Sequence, residues 1–378
     1  MLQHNNHPQR YRYIGDLSGA FADLGTFLPI VIAVLALQKV DPSGLFIGFG
    51  IFALAVAAIY RRPIPIQPMK VVAAVVITQG LDAQTIAATG FLLGLTVIVL
   101  SLSGALDLLA RKIPASVLSG IQLGVGLMLA WAGVGLIVEQ PIVGIVTTAA
   151  LFMLLATPLN PFAAILVVTS ACLWTLANQQ NTLPEINYGL HMPQWVGFGW
   201  QELWSSTQSI LLPQISLTLT NAIIATSAIA AHYFPDDKHR ITPARLGLTT
   251  GFLNMLLAPL GGFPMCHGAG GLVVQHRFGA RSWLAPTLFG FCMLCMGIFL
   301  GKDAMKLLLL IPLSAVGALL LYAGFELAWS KTLVKSSPME LSIIAITGIC
   351  CVVFNVAAGL LIGWLCHALS SKLTSSGQ

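Results

Sequence analysis

Two stretches decide how this chain folds: Arg62-Pro-Ile-Pro-Ile-Gln-Pro-Met-Lys70 and Gly261-Gly-Phe-Pro-Met-Cys-His-Gly-Ala-Gly-Gly271. Each interrupts an apolar helical pattern with Pro and Gly, so each predicts an extended segment that leads into a short helix. Irregular backbone within a bilayer survives only where it is buried in protein or lines a cavity. Two such breaks in corresponding halves of a chain therefore predict a transporter with its substrate site between two repeats.

The composition independently predicts an integral membrane protein. Of 378 residues, 57% are hydrophobic and 8% are charged, whereas a soluble domain has about 25% charged residues. Five windows contain no Asp, Glu, Lys or Arg, and several are long enough for two crossings of about 20 residues each: 113–138, 141–184, 203–235, 246–276 and 341–371. The net charge of +5 comes without a basic patch carrying interleaved aromatic residues, so no nucleic-acid partner is predicted.

Pro, Gly and charged residues divide the chain into fourteen predicted helical spans, seven on each side of the loop 178–205. The spans are 14–37, 43–60, 67–80, 84–109, 113–137, 141–157, 160–177, 207–231, 242–259, 265–277, 282–300, 304–327, 338–353 and 355–370. Spans 3 and 10 are too short to cross about 30 Å of hydrocarbon, which fits half-helices. An odd number of spans per half makes the second half enter the membrane from the opposite face, so the predicted repeat is inverted.

The distribution of Lys and Arg fits this count, because basic residues concentrate on the cytoplasmic side. With both termini cytoplasmic, three lysines lie outside, and Lys70 lies within the membrane. The outer three are Lys39, Lys302 and Lys306; the inner set is Arg10, Arg12, Arg61, Arg62, Arg111, Lys112, Lys238, Arg240, Arg245, Arg277, Arg281, Lys331, Lys335 and Lys372. We expect an integral protein of the bacterial inner (plasma) membrane.

The two breaks predict a site for an anion. Each half-helix begins with free backbone N–H groups and with about half a positive charge from its dipole. Lys70, within the membrane, would favour a doubly charged ligand, unless its long stem reaches the cytoplasmic face or its ammonium pairs with Asp23. The predicted substrate-binding residues are Thr26, Gln67, Pro68, Met69, Lys70, Gln214, Thr218, Asn221, Cys266, His267 and Gly268.

Asp23 and His267 are the candidates for carrying a coupling proton. Asp23 lies in the first span among small residues that allow close helix contact, and His267 stands at the start of the tenth span, where a purely structural role is the alternative. Asp16 is interpreted as a capping or interfacial residue. Asn221 lies 45 residues before Cys266, and Asp23 lies 45 residues before Pro68. This equal spacing agrees with an inverted repeat. No metal site, cofactor or catalytic residue is predicted, since Cys292 and Cys295 have no His or acidic residue nearby.

Four segments resemble the signature of the molybdate transporter family, a distant branch of the sulfate permease superfamily. They are Asp-Leu-Gly-Thr-Phe-Leu-Pro at 23–29, Pro-Ile-Gln-Pro-Met-Lys at 65–70, Asn-Ala-Ile-Ile-Ala-Thr-Ser at 221–227, and Pro-Met-Cys-His-Gly-Ala-Gly-Gly-Leu at 264–272 with the basic segment 275–281. The resemblance implies the all-α fold shared with uracil permeases: two inverted seven-span repeats, with spans 1–4 and 8–11 forming a core domain and spans 5–7 and 12–14 a gate domain. In this chain the boundaries fall at 1–112, 113–206, 207–301 and 302–378. The resemblance also implies an oxyanion held between spans 3 and 10, and a homodimer formed through the gates.

The expected function is secondary active uptake of molybdate by alternating access, coupled to protons. Importing a dianion against an inside-negative potential of 100 mV costs about 4.6 kcal/mol, so coupling to cations is expected. Sulfate has the same shape and charge and stays open as the alternative substrate, and a channel or an electroneutral exchanger stays open as the alternative mechanism. An intramembrane enzyme is disfavoured, because Cys266 and His267 are adjacent in sequence and therefore point to different faces.

Overall fold

The computed structural model describes residues 9–38, 40–157, 159, 162–178, 184–329, 333 and 336–375. Within these ranges the chain is mostly helical, with one pair of very short strands. Lys39, Lys331 and Lys335, which the charge count uses, lie outside the described residues, as do the first two residues of predicted span 7, 160 and 161. The elements are α1 Gln9–Ala20, α2 Leu24–Gln38, α3 Pro42–Tyr60, β1 Gln67–Pro68, α4 Lys70–Gln79, α5 Ala83–Leu102, α6 Ala105–Lys112, α7 Ala115–Glu139, α8 Pro141–Leu155, α9 Ala163–Asn178, α10 Trp200–Tyr233, α11 Pro243–Leu257, β2 Met265–Cys266, α12 Ala269–Arg277, α13 Leu284–Leu308, α14 Leu313–Ala328, α15 Pro338–Val353 and α16 Val356–Ser375.

Six helical stretches among the described residues are long and apolar enough to cross a membrane. They are Tyr13–Leu37, which contains the break between α1 and α2, together with α3, α5, α7, α10 and α13. Further apolar helices of 10–17 residues include α8, α9, α14 and α15. The chain is therefore a helical membrane protein.

Several predicted boundaries differ from the structure, and predicted span 4 (84–109) is divided at Ser103 and Gly104 into α5 and α6. The first span is interrupted at residues 21–23 by a turn, in which the amide of Leu24 bonds to the carbonyl of Phe21 at 3.2 Å. Helix α10 begins at Trp200 and contains two π-helical segments, Thr207–Leu211 and Thr218–Ala225. Helix α13 runs beyond the predicted end at 300 to Leu308, because Gly301–Asp303 forms a 3-10 turn that continues the helix. Predicted span 12 therefore begins at Leu313, after Pro312, and not at 304.

The two predicted breaks are each an extended segment followed by a short helix. Helices α4 and α12 have 10 and 9 residues, so each rises only about 15 Å, half the thickness of the hydrocarbon core. The two strands that precede them pair antiparallel, with Gln67 opposite Cys266 and Pro68 opposite Met265. This short ladder lets the interrupted backbone satisfy its hydrogen bonds inside the membrane.

Asn254 of α11 completes the hydrogen bonding of the second strand. Its Nδ2 donates to the carbonyl of Met265 at 2.6 Å, and its Oδ1 accepts from the amide of Met265 at 2.7 Å. Asn254 is 1% exposed, so these bonds form where water cannot replace them. One side-chain amide thus fixes the strand that leads into α12.

Glycine pairs let neighbouring helices approach closely. A Cβ on Gly94 of α5 would lie 2.5 Å from the carbonyl oxygen of Gly251 in α11, and a Cβ on Gly251 would lie 2.7 Å from that of Gly94. Gly133 of α7 and Gly317 of α14 meet in the same reciprocal way, each at 2.6 Å. Small residues at such crossings are typical of helix packing in membranes, where close van der Waals contact replaces the hydrophobic driving force.

Arg62 joins two connections that are predicted to lie on the cytoplasmic side. Its guanidinium forms an ion pair with Asp237 at 2.5 Å, donates to the carbonyl of Arg281 at 3.0 Å, and lies 4.8 Å from the ring centre of Phe234. Asp16 of α1 accepts hydrogen bonds from the amides of Arg281, at 2.7 Å, and of the following residue. Asp16 therefore caps the turn before α13, which is one of the two roles predicted for it, capping or interfacial.

Candidate functional site

A cavity of about 710 Å³ lies between the two half-helices and helices α2, α7, α8, α9, α10 and α14. Of the predicted site residues, five line it: Asp23, Thr26, Gln67, Lys70 and Asn221. The side chains of Pro68, Met69, Gln214, Thr218, Cys266 and His267 are not part of its lining, and neither is Gly268. The structure thus brings the two sequence breaks together at one cavity.

The N-terminus of α12 is open toward this cavity. Gly268 precedes the helix in extended conformation, and no side chain caps the first turn. Gly270 and Gly271 line the cavity, and a Cβ placed on Gly270 would meet no atom within 4 Å. Free N–H groups at the positive end of a helix dipole are suited to binding an anion.

The N-terminus of α4 is occupied by a protein side chain. The Oε1 atom of Gln214, from α10, accepts from the amides of Val71 at 3.1 Å and Val72 at 3.4 Å, and its Nε2 donates to the hydroxyl of Thr218 at 3.0 Å. Gln214 and Thr218 are both buried. The sequence predicts free N–H groups at both half-helices, whereas in the structure Gln214 takes two of those at α4. Only a contact between residues about 140 positions apart reveals this, so no local pattern could have predicted it.

Gln67 links the first span to the start of α12. Its Nε2 donates to Oδ2 of Asp23, while the hydroxyl of Thr26 donates to Oδ1 of the same carboxylate at 2.5 Å. Gln67 also packs on Gly268, where an added Cβ would lie 1.9 Å from the Gln67 Oε1 atom. Gly268 is therefore required for a close contact with Gln67, and the network holds Asp23 at the cavity wall.

His267 lies in the protein core beside the cavity. Its Nδ1 is 3.2 Å from the carbonyl oxygen of Pro65, and its Nε2 is 3.4 Å from the hydroxyl of Thr249. The imidazole packs edge-on against the rings of Phe52 and Tyr60, at 5.7 and 6.0 Å between ring centres. A neutral ring with its proton on Nδ1 satisfies the Pro65 carbonyl. This placement gives His267 a structural role and no direct path to a ligand in the cavity.

Four charged side chains face the cavity. Lys70, at the first position of α4, and Arg277, at the end of α12, are cations; Asp23 and Glu326 are carboxylates. Among the described residues Lys70 makes no ion pair within 4.0 Å, so the predicted alternative of a direct Lys70–Asp23 pair does not occur. Its ammonium is therefore not neutralised by an ion pair with any described carboxylate.

Sequence reasoning did not identify several residues that line the cavity. Glu326 and Tyr322 come from α14 and Gln122 from α7, both helices of the predicted gate domain. Arg277 was interpreted as marking the inner end of its helix. Glu326 is a carboxylate at the end of an otherwise apolar span. An ionisable group in such a position indicates a functional site, so the sequence does contain a signal for Glu326. Within the described part of the chain, no three His, Cys, Asp or Glu side chains lie together as metal ligands.

Comparison with known families decides which group of proteins this is. The family model described as molybdate transporter of MFS superfamily matches residues 15–129 and 206–327, more than half of the chain. The chain belongs to this molybdate transporter family. Among its relatives are molybdate transporter 2 and molybdate transporter 1 of Arabidopsis thaliana, 27% and 28% identical over 84% and 83% of this chain and 78% and 79% of theirs. Molybdate transporter 1 of Chlamydomonas reinhardtii is 24% identical over 92% of this chain and 89% of its own.

Solved structures of anion transporters have the same fold. The transmembrane domain of the cyanobacterial bicarbonate transporter BicA superimposes with a TM-score of 0.68 at 16% identity, over 95% of this chain and 98% of that one. Murine SLC26A9, an anion transporter solved in its inward-facing state, gives 0.68 at 12% identity, over 99% of this chain and 70% of that one. This chain therefore has the same fold as BicA and SLC26A9, although the description of its family names the MFS superfamily.

Proposed function

We propose that this protein carries out secondary active uptake of molybdate, coupled to protons, by alternating access. Three curated relatives that align with most of the chain are named molybdate transporters, which supports molybdate ahead of sulfate. The cavity between the half-helices supports an anionic substrate of any kind. The observation that carries the proposal is the uncapped first turn of α12, with Lys70 at the same cavity.

The dianion is held on one side by the backbone N–H groups of Gly270 and Gly271 and on the other by the ammonium of Lys70. The helix dipole adds about half a positive charge at the same place. Gln67, Thr26 and Asn221 contribute neutral donors from the surrounding wall. The site is asymmetric, because Gln214 caps α4 while α12 is left open.

Two features support the proposed inverted repeat. If each residue is replaced by its counterpart 198 positions away in the other half, Gln67 becomes Met265 and Cys266 becomes Pro68. The pair Gln67–Cys266 is thereby converted into Met265–Pro68, which is the other pair of the same ladder. The same interval relates Asp23 of span 1 to Asn221 of span 8, and both of these polar residues line the cavity. A two-fold axis through the ladder would produce both relations. We accordingly propose fourteen spans, with the core and gate domains divided at 112, 206 and 301.

In the proposed cycle the core domain carries the anion past the gate domain. With cytoplasmic termini, the cavity reaches from the half-helix tips toward Arg277 and Phe278 at the inner end of α12, so this conformation faces inward. We place the protein in the bacterial inner membrane and propose that it forms a homodimer through the gate domains.

Uptake of radiolabelled molybdate into proteoliposomes tests the proposal. We expect accumulation that increases with an inward proton gradient and that persists in the presence of equimolar sulfate. Uptake that is indifferent to the gradient would contradict proton coupling. Uptake abolished by equimolar sulfate would instead assign the protein to sulfate.

A further inference from the structure

Among the described residues that line the cavity, Glu326 is the one carboxylate without a hydrogen bond or an ion pair. It lies near the end of α14, and its side chain lines the cavity. Within the described part of the chain it makes no hydrogen bond and no ion pair. Both oxygens of Asp23, in contrast, accept hydrogen bonds.

The ionisable groups around Glu326 come from few elements. Lys70 of α4 and Asp23 lie within electrostatic range, and Arg277 of α12 and Tyr322 of α14 itself line the same cavity. Helix α14 packs against α2, α7, α8 and α9. Among the described residues these helices bring no ionisable side chain to the cavity, and their polar groups there are Thr26 of α2 and Gln122 of α7.

The charges of the cavity cancel when it is empty and every group is ionised. Lys70 and Arg277 contribute two positive charges, and Asp23 and Glu326 contribute two negative charges. A bound dianion would then leave two uncompensated negative charges inside the membrane, which is costly. Protonating both carboxylates leaves the two cations to balance the dianion.

We propose that two protons bind with each dianion, one on Asp23 and the other on Glu326. The proposal rests on the function proposed above and adds the second proton site and the stoichiometry of binding. Asp23 can keep its partners when protonated, because a proton on Oδ1 can be donated to the Thr26 hydroxyl, which itself lies 3.1 Å from the Asp23 carbonyl oxygen. Glu326 has no partner to lose.

The test measures molybdate binding to the purified protein by calorimetry in detergent. Each pH is examined in two buffers of different ionisation enthalpy, so that the protons taken up with each molybdate are counted. For the wild type we expect the number to approach two at the alkaline end of the range, where Kd rises about a hundredfold for each pH unit. For Glu326→Gln we expect the number of protons to approach one, so that Kd rises about tenfold for each pH unit. At alkaline pH this variant should bind molybdate more tightly than the wild type does.

Two further variants complete the comparison. Glu326→Asp should keep the second proton, whereas Glu139→Gln, at the far end of α7 and outside this cavity, should behave as the wild type. The proposal is overturned if Glu326→Gln takes up as many protons as the wild type, or if it loses molybdate binding, since a neutral amide resembles the protonated acid. A wild type that binds molybdate without proton uptake also overturns it and leaves molybdate as the substrate. A wild type that binds no molybdate at any pH refutes the proposed function itself.

Discussion

Replacing Gly268 by alanine tests the network that connects Asp23 to the start of α12. The backbone of Gly268, at φ −112° and ψ 120°, suits any residue, so the effect of the substitution is steric. The new Cβ would lie 1.9 Å from Oε1 and 2.4 Å from Cδ of Gln67. The Gln67 side chain can swing away, but it then gives up its hydrogen bond to the Asp23 carboxylate, which contributes about 1.5–3 kcal/mol.

We therefore expect Gly268→Ala to lower the free energy of unfolding by about 1.5–3 kcal/mol, measured by denaturant titration of the purified protein in mixed micelles. Molybdate uptake should fall too, because Gln67 and Asp23 both line the cavity. Gly270→Ala is the matched control: its Cβ meets no atom within 4 Å, and alanine in a helix is about 1 kcal/mol more favourable than glycine. Its stability should stay equal or increase.

A double-mutant cycle with Gln67→Ala isolates the cause. Without the Gln67 amide there is nothing for the new methyl group to displace, so Gly268→Ala should cost less than about 0.5 kcal/mol in that background. An equal loss of stability with and without Gln67 would refute the reasoning.

Three further substitutions test separate parts of the structure. Asn254→Ala should lower the free energy of unfolding by about 2–5 kcal/mol, because it leaves two buried backbone groups of the second strand unpaired; denaturant titration measures this, and a loss below about 1 kcal/mol would contradict it. Arg62→Ala should lower the free energy of unfolding by about 1–3 kcal/mol, because it removes partly buried contacts with Asp237, the carbonyl of Arg281 and the ring of Phe234. Lys238→Ala, at an exposed position, should leave the free energy of unfolding unchanged in the same titration. Lys70→Ala should raise the Kd of a dianion by about the square of the factor by which it raises the Kd of a monoanion, because the Coulomb energy doubles with the charge of the ligand. Binding of molybdate and of nitrate measures these two factors, with Lys238→Ala as the control. Equal factors for the two ions would argue against direct charge pairing.

The broken spans could be predicted because their cause is local. Pro63, Pro65 and Pro68 in one half, and Pro264 with its flanking glycines in the other, prevent a continuous helix whatever surrounds them. The membrane then requires that the exposed backbone groups be satisfied inside the protein, so pairing of the two segments follows from the breaks. The turn that splits the first span was not predicted, because Phe21 to Asp23 contains neither Pro nor Gly.

The amino-acid sequence by itself determined that the chain lies in a membrane, that two of its helices are half-length, and that the interrupted segments before them meet. These conclusions follow from composition and from backbone chemistry, which act on each segment separately. Tertiary structure alone decided which of the chemically eligible groups reach the site. Gln214 caps α4 from 143 positions away in sequence, His267 turns into the core, and Glu326 faces the cavity from a helix of the other predicted domain. Hydrogen bonds between distant residues and the rotation of each helix about its axis determine these outcomes, and neither leaves a pattern in the local sequence.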